Sequence, residues 1–164
     1  MRHLAYDPYV QPRDAAGFEP VDLETLLRAS DFVCVCCNLT PETHHLLNAE
    51  RLALMRPTAF LVNTARGPIV DERALTDVLR NRRILGAALD VFEQEPVDPS
   101  NPLLRLDNAI VAPHAVAWTD ECFRGNGVSA CRAILDVAAG RVPKFVVNRA
   151  ALDHPKLQRR LAST

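Results

Sequence analysis

An α/β fold with a largely parallel sheet is what the sequence predicts, and three observations carry it. Short apolar runs alternate with segments whose apolar residues recur at helical spacing, the pattern of strand and crossover helix. Each run closes on a polar residue and a turn-forming stretch. The 164 residues, 48% hydrophobic and 24% charged, suffice for one well-formed core and are too few for two large domains.

Charge and composition narrow the function classes. Nineteen basic and 20 acidic residues give a formal charge of −1, so no basic footprint points to nucleic acid or an anionic membrane. No apolar run is long enough to span a bilayer, and the N-terminus lacks the pattern of a signal peptide; a cytoplasmic protein is the expectation. Five cysteines include the cluster Cys34, Cys36 and Cys37. Adjacent strand positions face opposite sides, so these thiols do not converge on a metal, and buried, reduced cysteines are expected.

Taken in order, residues 2–6 read as a strand that Asp7-Pro8 stops, because proline cannot continue a ladder. An acid there can accept hydrogen bonds from ribose hydroxyls while repelling a 2′-phosphate, which favours NAD over NADP; it equally suits a plain turn before proline. Residues 10–20 read as a loop whose Arg13 tempers that choice of cofactor, and Asp22 caps a helix with Leu23, Leu26 and Leu27 on its apolar face. A second strand over 32–37 ends in a Pro- and Thr-containing loop. His44 and His45 follow, and as neighbours they diverge on a helix or a strand. Asn48 caps a short helix ending before Pro57. The third strand, 59–63, is apolar enough to be buried on both faces, and it delivers Arg66.

Asp71 then caps a helix with Ala74, Leu75, Val78 and Leu79 on one face and Arg80, Arg82 and Arg83 near its end. Residues 86–91 form a fourth strand closing on Asp90, residues 93–102 an extended loop, and residues 109–112 a fifth strand ending at Pro113-His114. A long helix runs from Thr119 or Asp120 to about Ala139, where Gly140 stops it, and 141–164 is a tail without strong pattern.

Right-handed crossovers make all these strands point one way, so Asp7, Asn38, Arg66, Asp90 and His114 arrive at one sheet edge, where ligands bind in open α/β sheets. Hydride transfer between a nicotinamide and a hydroxy acid needs a held cofactor, a fixed substrate carboxylate and a mobile proton. Arg66 can clamp the carboxylate, His114 can act as general acid/base, and Glu95 can orient its imidazole. Singly, each also reads as an ordinary surface or loop residue.

The segments 61–72 (Leu-Val-Asn-Thr-Ala-Arg-Gly-Pro-Ile-Val-Asp-Glu), 88–96 (Ala-Leu-Asp-Val-Phe-Glu-Gln-Glu-Pro) and 112–114 (Ala-Pro-His), in that order, resemble the D-isomer-specific 2-hydroxyacid dehydrogenases. The likeness spans about residues 2–149. It implies an incomplete Rossmann-like, doubly wound, mostly parallel sheet, with 1–149 a partial NAD-binding domain starting at its second strand and 150–164 a C-terminal tail. It implies Arg66, Glu95 and His114 as catalytic residues and Asp7, Cys37, Thr64 and Asp90 as NAD-binding ones, Asp90 toward the nicotinamide carboxamide. The implied cofactor is NAD and the substrate a 2-hydroxy or 2-oxo acid.

The departures are as informative. The family's glycine-rich G-x-G-x-x-G turn is not in this sequence, nor is the N-terminal half of its substrate domain, and Asn38 stands where proline is usual. In a sheet ordered 3-2-1-4-5-6 the first strand would lie between residues 2–6 and 59–63, so those strands either pair directly or flank a gap. The expectation is a truncated dehydrogenase, weakly active alone. The alternative is a non-catalytic remnant acting as an interaction module, as a homodimer or with a separate N-terminal segment.

Overall fold

The computed structural model describes residues 1–10 and 17–162, so Arg13 lies outside the described residues. Two compact units divide the chain, Met1–Val116 and Ala117–Thr164. The first unit contains β1 (Leu4–Ala5), β2 (Glu19–Pro20), α1 (Leu23–Ala29), β3 (Phe32–Val35), α2 (Ala49–Leu52), β4 (Phe60–Asn63), α3 (Glu72–Arg80), β5 (Gly86–Leu89) and β6 (Ala109–Val111). Each helix starts where a short polar side chain satisfies a free backbone amide. Asp22 accepts from Thr25 N, Asn48 from Arg51 N and Asp71 from Ala74 N, as expected.

All strand pairs are parallel, in a two-stranded sheet β1-β2 and a four-stranded sheet β3-β4-β5-β6. This corrects the expected position of the gap. Strand β4 is flanked on both sides, by β3 and β5, whereas β1 pairs with β2, a strand inside what reads as a loop. Residues 2–6 and 59–63 therefore neither pair nor face each other across a missing strand. The four-residue ladder from Phe32↔Phe60 to Val35↔Asn63 explains why β3 takes the place beside β4: it supplies a full register and an apolar inner row.

The core lies on one side of the four-stranded sheet. Val33, Val35, Leu61, Ala87 and Leu89 are buried with Leu27 of α1, Leu52 of α2 and Leu75, Val78 and Leu79 of α3. Strand side chains alternate, so the opposite row faces away from these helices. Phe32 is 61% exposed and Ile110 75% exposed, while Phe60 and Val62 are half-buried. Hence 59–63 is not buried on both faces, as its composition suggests. The expected burial of the cysteines is overturned as well: alternation leaves Cys34 and Cys36 exposed, Cys37 is half-buried, and Cys122 and Cys131, on a helix of the second unit, are exposed; all five are free thiols.

The second unit holds α4 (Asp120–Ala138) and α5 (Pro155–Ala162). Thr119 caps α4 through Cys122 N, and Gly140 at φ 71° ends it, as expected. The patternless tail is corrected: a 3-10 turn over Arg149–Asp153 leads into α5, whose first residue is proline, suited to a position where no amide is needed. No helix among the described residues is long and apolar enough to cross a membrane.

Core burial on one side makes the two faces differ in mutational cost. Leu61, fully buried, should lose about 3 kcal/mol on replacement by Ala. Ile110→Thr, on the open face, should change stability by less than about 0.5 kcal/mol. Urea unfolding of both variants measures the contrast.

Candidate functional site

The four-stranded sheet sends its strand ends to one edge, and the loops there carry most of the candidate residues. After β4 the chain turns on Asn63, a polar side chain only 1% exposed. Its Oδ1 accepts from Ala65 N at 3.0 Å and its Nδ2 donates to Arg66 O at 3.0 Å, so the amide closes the loop on itself. The Asn63 carbonyl accepts from Asp90 N at 3.0 Å and ties the ends of β4 and β5 together. Arg66 is exposed, with Nη1 donating to Ala65 O at 2.6 Å, and no other hydrogen bond engages its guanidinium among the described residues. Thr64 beside it is exposed.

Gly67 follows, buried against the backbone of Phe92 and Glu93. A Cβ there would overlap the Phe92 carbonyl group, so only glycine lets the two loops touch. The Phe92 side gives Glu95 its place. Phe92 N donates to Glu95 Oε1 at 3.1 Å, and Glu95 Oε2 lies 2.8 Å from His114 Nδ1. An ionised carboxylate only accepts, so Nδ1–H donates and the other ring nitrogen, Nε2, is left for chemistry. The hydrogen bond from His114 holds the Glu95 carboxyl below its usual range; burial opposes this, and the Phe92 amide and the His114 and Arg66 charges add to the lowering. Arg66, Glu95 and His114 are thus brought into one electrostatic neighbourhood.

His114 sits at φ 56°, an uncommon conformation for a residue other than glycine. Asp90 helps to fix it there. That carboxylate, 6% exposed, accepts from Ala115 N at 2.8 Å and from Val116 N at 3.2 and 3.3 Å. Asp90 therefore anchors the segment leaving His114. Asp7 follows β1 in the other sheet. Its Oδ1 accepts from Tyr9 N at 2.9 Å, the turn-forming role, while Oδ2 is free of that bond. The Cys37 thiol is pushed up chiefly by burial, opposed by a backbone hydrogen bond, with Cys36 and Asp7 adding to the rise.

Sequence reasoning passed over Asn63, Gly67 and Phe92 as site residues. A lone polar residue ending an apolar run, followed four positions later by glycine, was the available signal for the first two. His44 and His45 do not diverge: His45 takes φ 49°, and the rings stack with centroids 4.1 Å apart.

Residues 1–116 match the family model described as D-isomer specific 2-hydroxyacid dehydrogenase, NAD binding domain. The chain belongs to this family. It is 47% identical over 136 residues to a glyoxylate reductase of Thermofilum pendens, covering 83% of this chain and 40% of that protein. Glyoxylate/hydroxypyruvate reductase B of Shigella boydii is 46% identical over 127 residues, 77% of this chain and 39% of the relative. Among solved structures, a protein of Thermus thermophilus superposes with a TM-score of 0.84 at 39% identity, covering 90% of this chain and 46% of that one. D-lactate dehydrogenase with NAD+ from Lactobacillus jensenii gives 0.83 at 29% identity, with 90% and 48% covered. The chain thus spans less than half the length of each of these proteins.

Two outcomes test this geometry. Gly67→Ala should destabilise the chain by about 3 kcal/mol through backbone overlap, whereas Gly125→Ala in α4, where a Cβ meets nothing within 4 Å, should gain about 0.5–1 kcal/mol; thermal unfolding compares them. Because Glu95 is depressed, its pairing with His114 is intact above the usual glutamate range and lost as pH falls through the lowered value. Carboxyl NMR should show Glu95 titrating below that range, and His114→Ala should return it there.

Proposed function

We propose that this chain contributes the NAD-binding domain and the catalytic side chains of a dehydrogenase interconverting 2-hydroxy and 2-oxo acids. The Glu95–His114 pair beside Arg66 carries the reading, supported by relatives named as glyoxylate and glyoxylate/hydroxypyruvate reductases. The residues fit NAD in kind. Asp7 offers a carboxylate oxygen to ribose hydroxyls, Cys37 stays a neutral thiol, and Thr64 and Asp90 stand at the ends of β4 and β5. Bound NAD supplies the hydride acceptor.

The chain's own residues do the rest. Arg66 pairs with the substrate carboxylate through its planar guanidinium and fixes the reacting carbon's orientation. His114 takes the hydroxyl proton at Nε2 during oxidation and returns it to the carbonyl oxygen during reduction. Glu95 holds Nδ1–H, selecting the tautomer that leaves Nε2 free and stabilising the imidazolium. Five free thiols support a reducing compartment, and the cytoplasm is the location this reading favours.

One observation favours a second reading, an interaction module that self-associates: the open apolar row of Phe32, Phe60, Val62 and Ile110. Calorimetry separates the two. NAD(H) should bind the 164-residue chain saturably, and Asp7→Ala should weaken binding about tenfold, the loss of roughly one charged hydrogen bond. His114→Ala and Arg66→Ala should each lower NADH-dependent reduction of glyoxylate at least ~100-fold. No binding at millimolar cofactor, with concentration-dependent sedimentation, would overturn the enzyme reading for the second.

A further inference from the structure

We propose that Glu93 is a positioning residue for the Glu95–His114 pair, held in place by His45, Glu72 and Asn101. This rests on the catalytic reading of Glu95 and His114. Three loops at the ends of β3, β4 and β5 meet at Glu93. From the first, His45 Nε2 lies 2.9 Å from Glu93 Oε1. From the second, Glu72 exchanges two bonds with Glu93: Glu72 N donates to Glu93 Oε1 at 3.0 Å, and Glu93 N donates to Glu72 Oε2 at 2.9 Å. The other Glu72 oxygen accepts from Asn101 Nδ2 at 2.6 Å, which fastens the far end of the same loop.

The two carboxylates tolerate each other because each faces donors. Glu72 is the first residue of α3, so Glu93 accepts from a free amide at the positive end of that helix. His45 supplies a second donor, and its own backbone is set by a bond from His45 N to Pro68 O at 2.8 Å. Glu93 lies two residues before Glu95, in the loop segment whose Phe92 amide also binds Glu95. Gly67 closes on the backbone of that segment from the other side. Fixing Glu93 therefore fixes where Glu95 can present its second oxygen to His114. A residue that merely capped α3 would leave Glu95 unmoved when replaced.

That difference is the test, made on the full chain. In Glu93→Ala the Glu95 carboxyl, followed by NMR, should titrate back toward its usual range, while Glu93→Gln, which keeps the acceptor for Glu72 N, should hold it low. Turnover in Glu93→Ala should fall ~10-fold in kcat with little change in KM for NADH, the signature of misplacement. An unchanged Glu95 titration in Glu93→Ala would overturn the proposal. Should that variant fail to fold, His45→Asn, compatible with positive φ, carries the test, and an unmoved titration there overturns it equally. The titration reads positioning without any turnover, so its result stands apart from a failure of the dehydrogenase reading, which loss of NAD binding would show.

Discussion

The contact of Gly67 with the Phe92 carbonyl is the constraint on which the site depends. It presses the loop leaving β4 against the loop leaving β5 at a separation no side chain allows. Two of the three residues read as catalytic, Arg66 and Glu95, sit on those two loops, and His114 reaches them from the end of β6. Arg66 precedes the glycine by one residue, and Glu95 takes a hydrogen bond from the Phe92 amide. Asn63 sets the approach with its buried side-chain amide, which bonds both sides of its own turn, and with its backbone carbonyl, which accepts from the first residue beyond β5. Rigid strands thus hand their precision to loops through a few backbone bonds.

Charge is arranged in the same hierarchy. Asp90 is buried and accepts from two amides that hold the chain after His114. Glu95 is more exposed and is paired with the imidazole itself. One acid thereby binds backbone amides and the other an imidazole, and the division follows from depth: a carboxylate placed inside must be satisfied by fixed donors. The Glu72–Glu93 exchange repeats the buried pattern at the surface, with a helix start and His45 as the donors.

The four-stranded sheet is dressed with helices on one side within its unit. That asymmetry explains three features together: Phe32 and Phe60 stacking at 5.4 Å on the open face, the solvent exposure of Cys34 and Cys36, and the exposed Ile110. All lie on the outward row of the strands, and strand alternation makes them a set.

Local sequence determined the elements whose causes are local. Asp22, Asn48, Asp71 and Thr119 mark helix starts because a side chain caps an amide a few residues on, and the apolar runs mark strands. The family motifs likewise marked Arg66, Glu95 and His114, and parallel order brought their strands to one edge. Tertiary structure alone decided which strand lies beside β4, because register depends on partners far along the chain. It also decided which face of a strand is covered, since an apolar run reads the same with one helical layer or two. Gly67 against Phe92, and Glu93 between His45 and Glu72, join residues 21 to 48 positions apart. No spacing in the sequence announces such contacts, because they exist only once the sheet has set its loops side by side.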